Sequence, residues 1–217
     1  MSRALPPTAS VAEAREGAKL HAPAAARNAE TICGMLTAVA PARGKALEIA
    51  SGTGQHVVAF AAALPGITWQ PTDIDPDRLR SIDAHAADAG LSNINPAMHL
   101  DAAVPGWGAS RGGLDLIVLV NLLHLIGSDE TRNVITEAAA ALAPGGTLFL
   151  YGPFARDGAL TSDGDRRFDA QLRAADPAIG YKDTADMNRW LTEAGIAAEP
   201  PHEMPANNLA IVARRRA

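Results

Sequence analysis

Leu47-Glu48-Ile49-Ala50-Ser51-Gly52-Thr53-Gly54-Gln55-His56 is the stretch on which the fold turns. Ala46 to Ala50 is a short apolar run, a candidate buried strand. Ser51-Gly52-Thr53-Gly54 reads as a turn, and Gln55 to Leu64 reads as a helix closed by Pro65-Gly66. A glycine turn between a strand and a helix brings backbone close to a ligand, and the helix that follows offers free N–H groups. The plain alternative is a tight strand-to-helix turn with no ligand.

On the N-terminal side, Ile32, Met35, Leu36 and Val39 recur at helix spacing within 24–40, ended by Pro41 and Gly44. Residues 1–20 read as an arm with one helical turn at most. On the C-terminal side, Ile67 to Thr72 is a second strand, stopped at Asp73. Asp75 and Pro76 open a helix that closes at Gly90. Ile94 to Leu100 is a weak third strand, and Leu114 to Val120 is the clearest strand of all. Ser128 or Asp129 starts a helix to Leu142. Pro144-Gly145-Gly146 then leads into a strand at Thr147–Tyr151. Helices follow at Asp165–Ala174 and Thr184–Ala194. Ile196–Glu203 and Asn208–Arg214 close the chain as an antiparallel pair joined by 204–207. Five alternations of strand and helix predict an α/β fold with helices on both faces of a mostly parallel sheet. No domain boundary is visible in residues 1–217, with 1–44 as an N-terminal arm and lid helix.

Composition narrows the function classes. The chain has 217 residues, a net charge of −5 and one cysteine, Cys33. An acidic balance makes nucleic acid an unlikely partner, and a single thiol excludes a disulfide framework. The six histidines show no metal-ligand spacing, so no metal site is expected. Met1–Ser10 has no apolar run of the signal-peptide kind, and no segment is long and apolar enough to span a membrane. A cytoplasmic protein is the expectation.

Three nucleotide ligands compete for the turn. A phosphate-binding P-loop needs Gly-Lys-Ser/Thr, which is absent. A dinucleotide fingerprint needs a third glycine where Val57 stands. S-adenosylmethionine carries an ammonium and a sulfonium, which suits Glu48 inside the first strand. Asp73 lies about 20 residues past the turn, where a carboxylate accepts ribose hydroxyls. Asp101, after the third strand, is placed to receive the adenine amino group.

This order of elements and acids resembles the Rossmann-like class of S-adenosylmethionine-dependent methyltransferases. The resemblance implies a doubly wound seven-stranded sheet in the order 3-2-1-4-5-7-6, with the last strand antiparallel. The class usually has glycine where this chain has Ala50. A narrower resemblance is to the methyltransferase-like protein 26 family, a domain of unknown function. It rests on Arg27-Asn28, the 47–56 stretch, Trp69-Gln70-Pro71-Thr72-Asp73-Ile74-Asp75-Pro76, Tyr151-Gly152-Pro153-Phe154, Arg167-Phe168-Asp169 and Met204-Pro205-Ala206-Asn207-Asn208. The resemblance implies S-adenosylmethionine as cofactor, held by Arg27, Asn28, Glu48, Ala50, Ser51, Gly52, Thr53, Gly54, His56, Asp73, Ile74, Asp101, Ala102 and Asn121.

Methyl transfer from a sulfonium has a neutral leaving group, so alignment of the nucleophile is the main catalytic task. A base is needed only for a protonated acceptor. His124 and Tyr151, at the mouth of the sheet, are the catalytic candidates. Arg156, Arg166 and Arg167 are placed to hold an anionic acceptor, or else form a solvated face. Asn207-Asn208 touch substrate or only make a turn, and Arg214-Arg215-Arg216 read as a solvated basic tail. The expected reaction is methylation of a small molecule. The alternatives are a cofactor-binding sensor or assembly protein without catalysis, and a nicotinamide-dependent oxidoreductase.

Overall fold

A computed structural model describes residues 5, 6 and 9–216. The arm comes first. Glu13–Ala14 (β1) and Leu20–His21 (β2) pair antiparallel around a turn at Gly17, so a small hairpin stands where a helical turn was expected. The remainder of that expectation, at 1–4 and 7–8, lies outside the described residues. Helix α1 spans Pro23–Val39, with proline in its first turn as helix geometry allows. There follow β3 (Gly44–Ile49), α2 (Gln55–Ala63), β4 (Ile67–Asp73), α3 (Pro76–Ala89), β5 (Met98–His99), α4 (Trp107–Ser110) and β6 (Leu114–Val120). A 3₁₀ turn at Leu123–Leu125 leads to α5 (Ser128–Ala141) and β7 (Leu142–Ala155). The chain closes with α6 (Asp163–Ala175), β8 (Lys182–Asp183), α7 (Thr184–Glu193), β9 (Ile196–Ala198), β10 (His202–Glu203) and β11 (Asn208–Arg215).

The main sheet runs β10-β11-β7-β6-β3-β4-β5, with β9 beside β11 and β8 beside β7. Counting β3, β4, β5, β6, β7, β9–β10 and β11 as strands one to seven, this is the expected order 3-2-1-4-5-7-6. β11 runs antiparallel to β7 and the strands from β7 to β5 are parallel. Side-chain alternation divides the core. Leu47, Ile49, Ile117, Leu119, Leu148 and Leu150 face α5 and α7. Ala46, Leu116, Val118, Phe149 and Tyr151 face α1 and α2. Ile32 and Leu36 of α1 are fully buried on that second face. The helix is therefore a wall of the domain, with only its first turns near the sheet mouth.

Several boundaries differ from expectation for local reasons. The third strand shrinks to Met98–His99 because Ile94 makes only an isolated bridge to Trp69. Helix α5 is capped by Gly127, whose N–H donates to Glu130 Oε2 at 2.6 Å, so neither Ser128 nor Asp129 is the cap. The pairing of β7 with β6 begins at Leu142 and resumes at Thr147, with Pro144-Gly145-Gly146 as an irregularity inside one long strand. The sixth strand is broken at 199–201, where Pro200 and Pro201 lack the N–H a ladder needs. Arg214 and Arg215 are not a free tail. Arg214 donates to Thr147 Oγ1 at 2.8 Å and to Glu199, and Arg215 donates to the carbonyl of Leu142 at the end of α5. No helix of the described residues is long and apolar enough to cross a membrane.

Candidate functional site

The carboxyl ends of β3, β4 and β6 open onto one crevice, as the reversal of strand order at β3 dictates. Its floor is the turn after β3. Ala50 adopts a left-handed backbone (φ 53°), as do Gly52 (φ 61°) and Gly54 (φ 92°). At Gly54 a side chain would strike the backbone of Ile82 at 2.7 Å. At Gly52 it would meet only the tip of Arg78, so that glycine leaves the crevice open. The turn is fastened to β4. Ser51 N–H donates to the Thr72 carbonyl at 2.7 Å, and Thr72 Oγ1 donates to the Glu48 carbonyl at 2.8 Å. Ser81 Oγ donates to the Thr53 carbonyl at 2.8 Å.

Asp73 completes the floor. Its Oδ2 accepts from Gly52 N–H at 2.9 Å and its Oδ1 from Asp75 N–H at 3.0 Å. The side chain is only 5% exposed, and burial raises its pKa against the pull of these amides and of Arg78. Each oxygen keeps lone-pair capacity for another donor. Glu48 lies one strand over, buried to 1% exposure, and its Oε2 has no partner among the described residues. Burial lifts its pKa to about 8.

Around Glu48, on the α1 face, stand three further expected residues. His56 Nε2 and Asn28 Oδ1 are 2.8 Å apart. Asn28 and Asn208 bear on the Tyr151 hydroxyl, whose pKa is raised chiefly by burial. His56 stacks on Phe60, and burial lowers its pKa to about 4, so the ring is neutral near pH 7. Arg27 and Asn28 are within α1. They lie in its second turn, and Ala22 holds the N-cap position without a side-chain bond. Tyr151, expected beside His124, packs instead with Phe149, Val120 and the α1 face. At the far rim, Ile74 is 57% exposed and Val104 55%, two large apolar side chains left open to the crevice side of β4 and β5. Asp101 is exposed, with Oδ1 accepting from Ala103 N–H at 3.1 Å, and Ala102 is buried beside it.

The opposite wall is built from distant segments. Asn121 follows β6 in a left-handed conformation (φ 57°), with Gly152 beside it. Strain at an asparagine there marks a position held by its surroundings. His124 sits in the 3₁₀ turn, buried, its ring edge-on to Phe168 at 5.8 Å and Tyr181 at 6.2 Å. Burial, with Lys182 nearby, lowers its pKa to about 3. Tyr181 O–H donates to Asp165 Oδ1 at 3.2 Å, and Asn207 Nδ2 donates to Asp165 Oδ2 at 3.1 Å. That bond clasps the β10–β11 hairpin onto α6. Phe168, Tyr181 and Asp165 were not singled out for this wall from the sequence. Phe168 lies in the Arg167-Phe168-Asp169 string that carries the family resemblance, but nothing in the sequence ties it, Tyr181 or Asp165 to His124.

Two of the three arginines expected to hold an anionic acceptor or to form a solvated face are in ion pairs with nearby acids. Arg156 pairs with Glu203 at 2.7 Å, Arg166 pairs with Asp163 at 2.5 Å, and Arg167 is exposed. Asn208 donates to the Pro205 carbonyl as a turn-maker. No group of three metal-ligating side chains occurs among the described residues.

The same architecture is found in solved methyltransferases. A candidate O-methyltransferase from Nostoc punctiforme superimposes with TM-score 0.77 at 20% identity, over 88% of this chain and 56% of that one. An O-methyltransferase family protein from Burkholderia thailandensis gives 0.76 at 18%, over 89% and 58%. Human N-acetylserotonin methyltransferase, solved in complex with SAM, gives 0.70 at 16%, over 89% and 53%. The chain spans just over half the length of these proteins, and at such identities the likeness establishes the Rossmann-like methyltransferase fold. The sequence model of the family described as "protein of unknown function (DUF938)" matches residues 19–215, and the chain belongs to that family.

Proposed function

We propose that the protein is an S-adenosylmethionine-dependent methyltransferase of the methyltransferase-like protein 26 type, acting on a small-molecule acceptor. One observation carries the reading. A buried acid with an unpartnered oxygen, Glu48, lies beneath an open glycine turn tied to a second acid, Asp73. Such a pair suits a nucleoside that brings its own cation. It does not suit a pyrophosphate, which would meet two carboxylates. Val57, fully buried between α2 and the sheet, fills the contact that a dinucleotide site keeps for glycine, which weighs against the oxidoreductase reading.

When bound, the cofactor supplies a methyl group on a sulfonium, open to in-line attack. Glu48 receives its ammonium, and Arg27 its carboxylate, at the end of the crevice bordered by Asn28, His56 and Tyr151. The spare lone pairs of Asp73 accept the ribose hydroxyls. Ile74 and Val104 flank the adenine, with Asp101 and Ala102 at its edge. The backbone of Asn121 borders the reacting carbon. His124 faces the acceptor. Its imidazole is neutral, so it presents a lone pair that orients a hydroxyl or amine; its depressed basicity makes it a poor resting place for a proton, which must pass on to solvent. Tyr151 is assigned to the cofactor side.

The test is a thermal-shift comparison of S-adenosylhomocysteine with NAD, since a ligand that binds only the folded state raises the melting point. A rise with the first and none with the second is expected, and the reverse overturns the assignment. A metabolite screen with isotopically labelled methyl donor then identifies the acceptor. Binding without transfer to any metabolite favours the non-catalytic sensor.

A further inference from the structure

Glu48 is the one buried carboxyl group among the described residues with a buried oxygen that has no hydrogen-bond partner. It is 1% exposed on the face of β3 that α1 and α2 cover, among Ala46, Val118, Phe60 and Ile32. The titratable groups that act on it or share its face are Cys33 from α1, Asp73 from β4, His56 from α2 and Tyr151 from β7. None of these is a cation near neutral pH, and His56 is held neutral by burial. Ser51 gives Glu48 one side-chain hydrogen bond that burial outweighs, whereas two backbone N–H groups satisfy the oxygens of Asp73, the other acid of the crevice. Two carboxyl groups within reach of each other do not both ionise readily, and the one with amide donors keeps the charge.

We propose that Glu48 is a neutral carboxylic acid in the free protein and gives up its proton when a ligand ammonium seats beside it, so that cofactor binding releases one proton. The inference rests on the methyltransferase reading of the crevice. The balance is simple: the carboxyl O–H breaks, the proton passes to buffer, and the carboxylate left behind forms a charge-assisted hydrogen bond with an ammonium that stays protonated throughout. The high pKa of Glu48, about 8, agrees with the unpartnered oxygen. The coupling makes the site selective as well. A nucleoside without the amino-acid arm has nothing to draw the proton away, and the neutral acid offers it no ion pair.

Calorimetric titration of the full chain with S-adenosylhomocysteine, near pH 6.5 in two buffers of different ionisation heat, reads the proton directly. Release of about one proton per ligand is expected. Affinity should then rise about tenfold per pH unit and level off above the Glu48 pKa. The same titration with 5′-methylthioadenosine, which has the nucleoside but no ammonium, should release none. In Glu48→Gln the heat for S-adenosylhomocysteine should lose its dependence on buffer. Binding of S-adenosylhomocysteine without proton release overturns the proposal and leaves the cofactor assignment standing, as does equal release with methylthioadenosine or in Glu48→Gln. Failure of S-adenosylhomocysteine to bind removes both.

Discussion

The two sides of the crevice are made in different ways. The side proposed for the cofactor is backbone: a turn of five residues, fastened to the next strand by Ser51, Thr72 and Asp73 through bonds that close within about 25 residues of sequence. The side proposed for the acceptor is side chains drawn from three remote segments, His124 after β6, Phe168 and Asp165 on α6, and Asn207 on the last hairpin. Backbone geometry of the first kind constrains few residue types and serves any ligand that shares a nucleoside. Packing of the second kind depends on the identity of every ring and carboxylate. On the proposed reading, selectivity for the acceptor belongs to the second wall, and the contrast can be tested by perturbing each side while reading out the other.

The largest expected effect is on the cofactor side. Asp73→Ala removes the ribose acceptor and frees the Gly52 and Asp75 amides it holds. Hydrogen bonds to a charged group contribute about 1.5–3 kcal/mol each. Affinity for S-adenosylhomocysteine should fall roughly 100-fold or more by calorimetry. Unchanged affinity would mean that Asp73 only braces the turn. On the other wall, His124→Ala should lower turnover on the true acceptor about 10- to 100-fold, at the low end for a proton-handling group because the imidazole is so weak a base. Cofactor affinity should not move. If both quantities fall together, the two sides are not separable.

The same contrast explains what could be read from the sequence. Strand order and the positions of Glu48, Gly52, Gly54 and Asp73 were legible because each follows from a local pattern, an apolar run meeting a glycine turn or an acid at a strand end. Tyr151 was misplaced because alternation along β7 decides which face it takes. That strand begins at Leu142, beyond an irregularity at Pro144-Gly145-Gly146 that the sequence reads as a turn. Phe168 and Tyr181 could not be paired with His124 in advance, since only the folding of α6 over the sheet mouth brings them within 6.3 Å of one another. Of the arginines, Arg166 pairs with Asp163 at the i,i+3 spacing that the sequence carries, whereas the Arg156–Glu203 pair joins residues 47 positions apart that no local pattern brings together.

Stability against pH reads both sides at once. His56 and His124 have pKa values lowered to about 4 and about 3, so the unfolded chain binds more protons below pH 6.5, and their contribution is lost as pH falls. Glu48 is raised from 4.5 to about 8, so the folded chain holds the extra proton, and its contribution is lost as pH rises through that value. Between these limits two histidines oppose one glutamate on the acid limb, and the glutamate acts alone on the alkaline limb. The ligand-free protein should be most stable near pH 6.5 and lose about 1.4 kcal/mol per pH unit toward either side. Glu48→Gln should flatten the alkaline limb in chemical denaturation series and steepen the acid limb to about 2.7 kcal/mol per pH unit, because the glutamate no longer opposes the two histidines. An alkaline limb unchanged in the variant would show that Glu48 is already ionised in the free protein.

The smallest effect concerns the residue at which the chain departs from the family it resembles. Ala50 holds φ at 53°, a conformation that costs an L-residue roughly 1–2 kcal/mol and costs glycine almost nothing. The methyl group packs against the α5-side core, so its removal forfeits a little burial, and glycine gains freedom in the unfolded chain. The strain term outweighs these two losses. Ala50→Gly should therefore stabilise the protein by about 0.5–1 kcal/mol. It should leave S-adenosylhomocysteine affinity unchanged within about twofold, because the amides that shape the turn are fixed by Thr72 and Asp73 and not by the side chain at 50. A loss of stability would show that the methyl contact holds the turn. A gain in affinity beyond that range would show that Ala50, and not Asp73, limits how closely the nucleoside approaches the backbone.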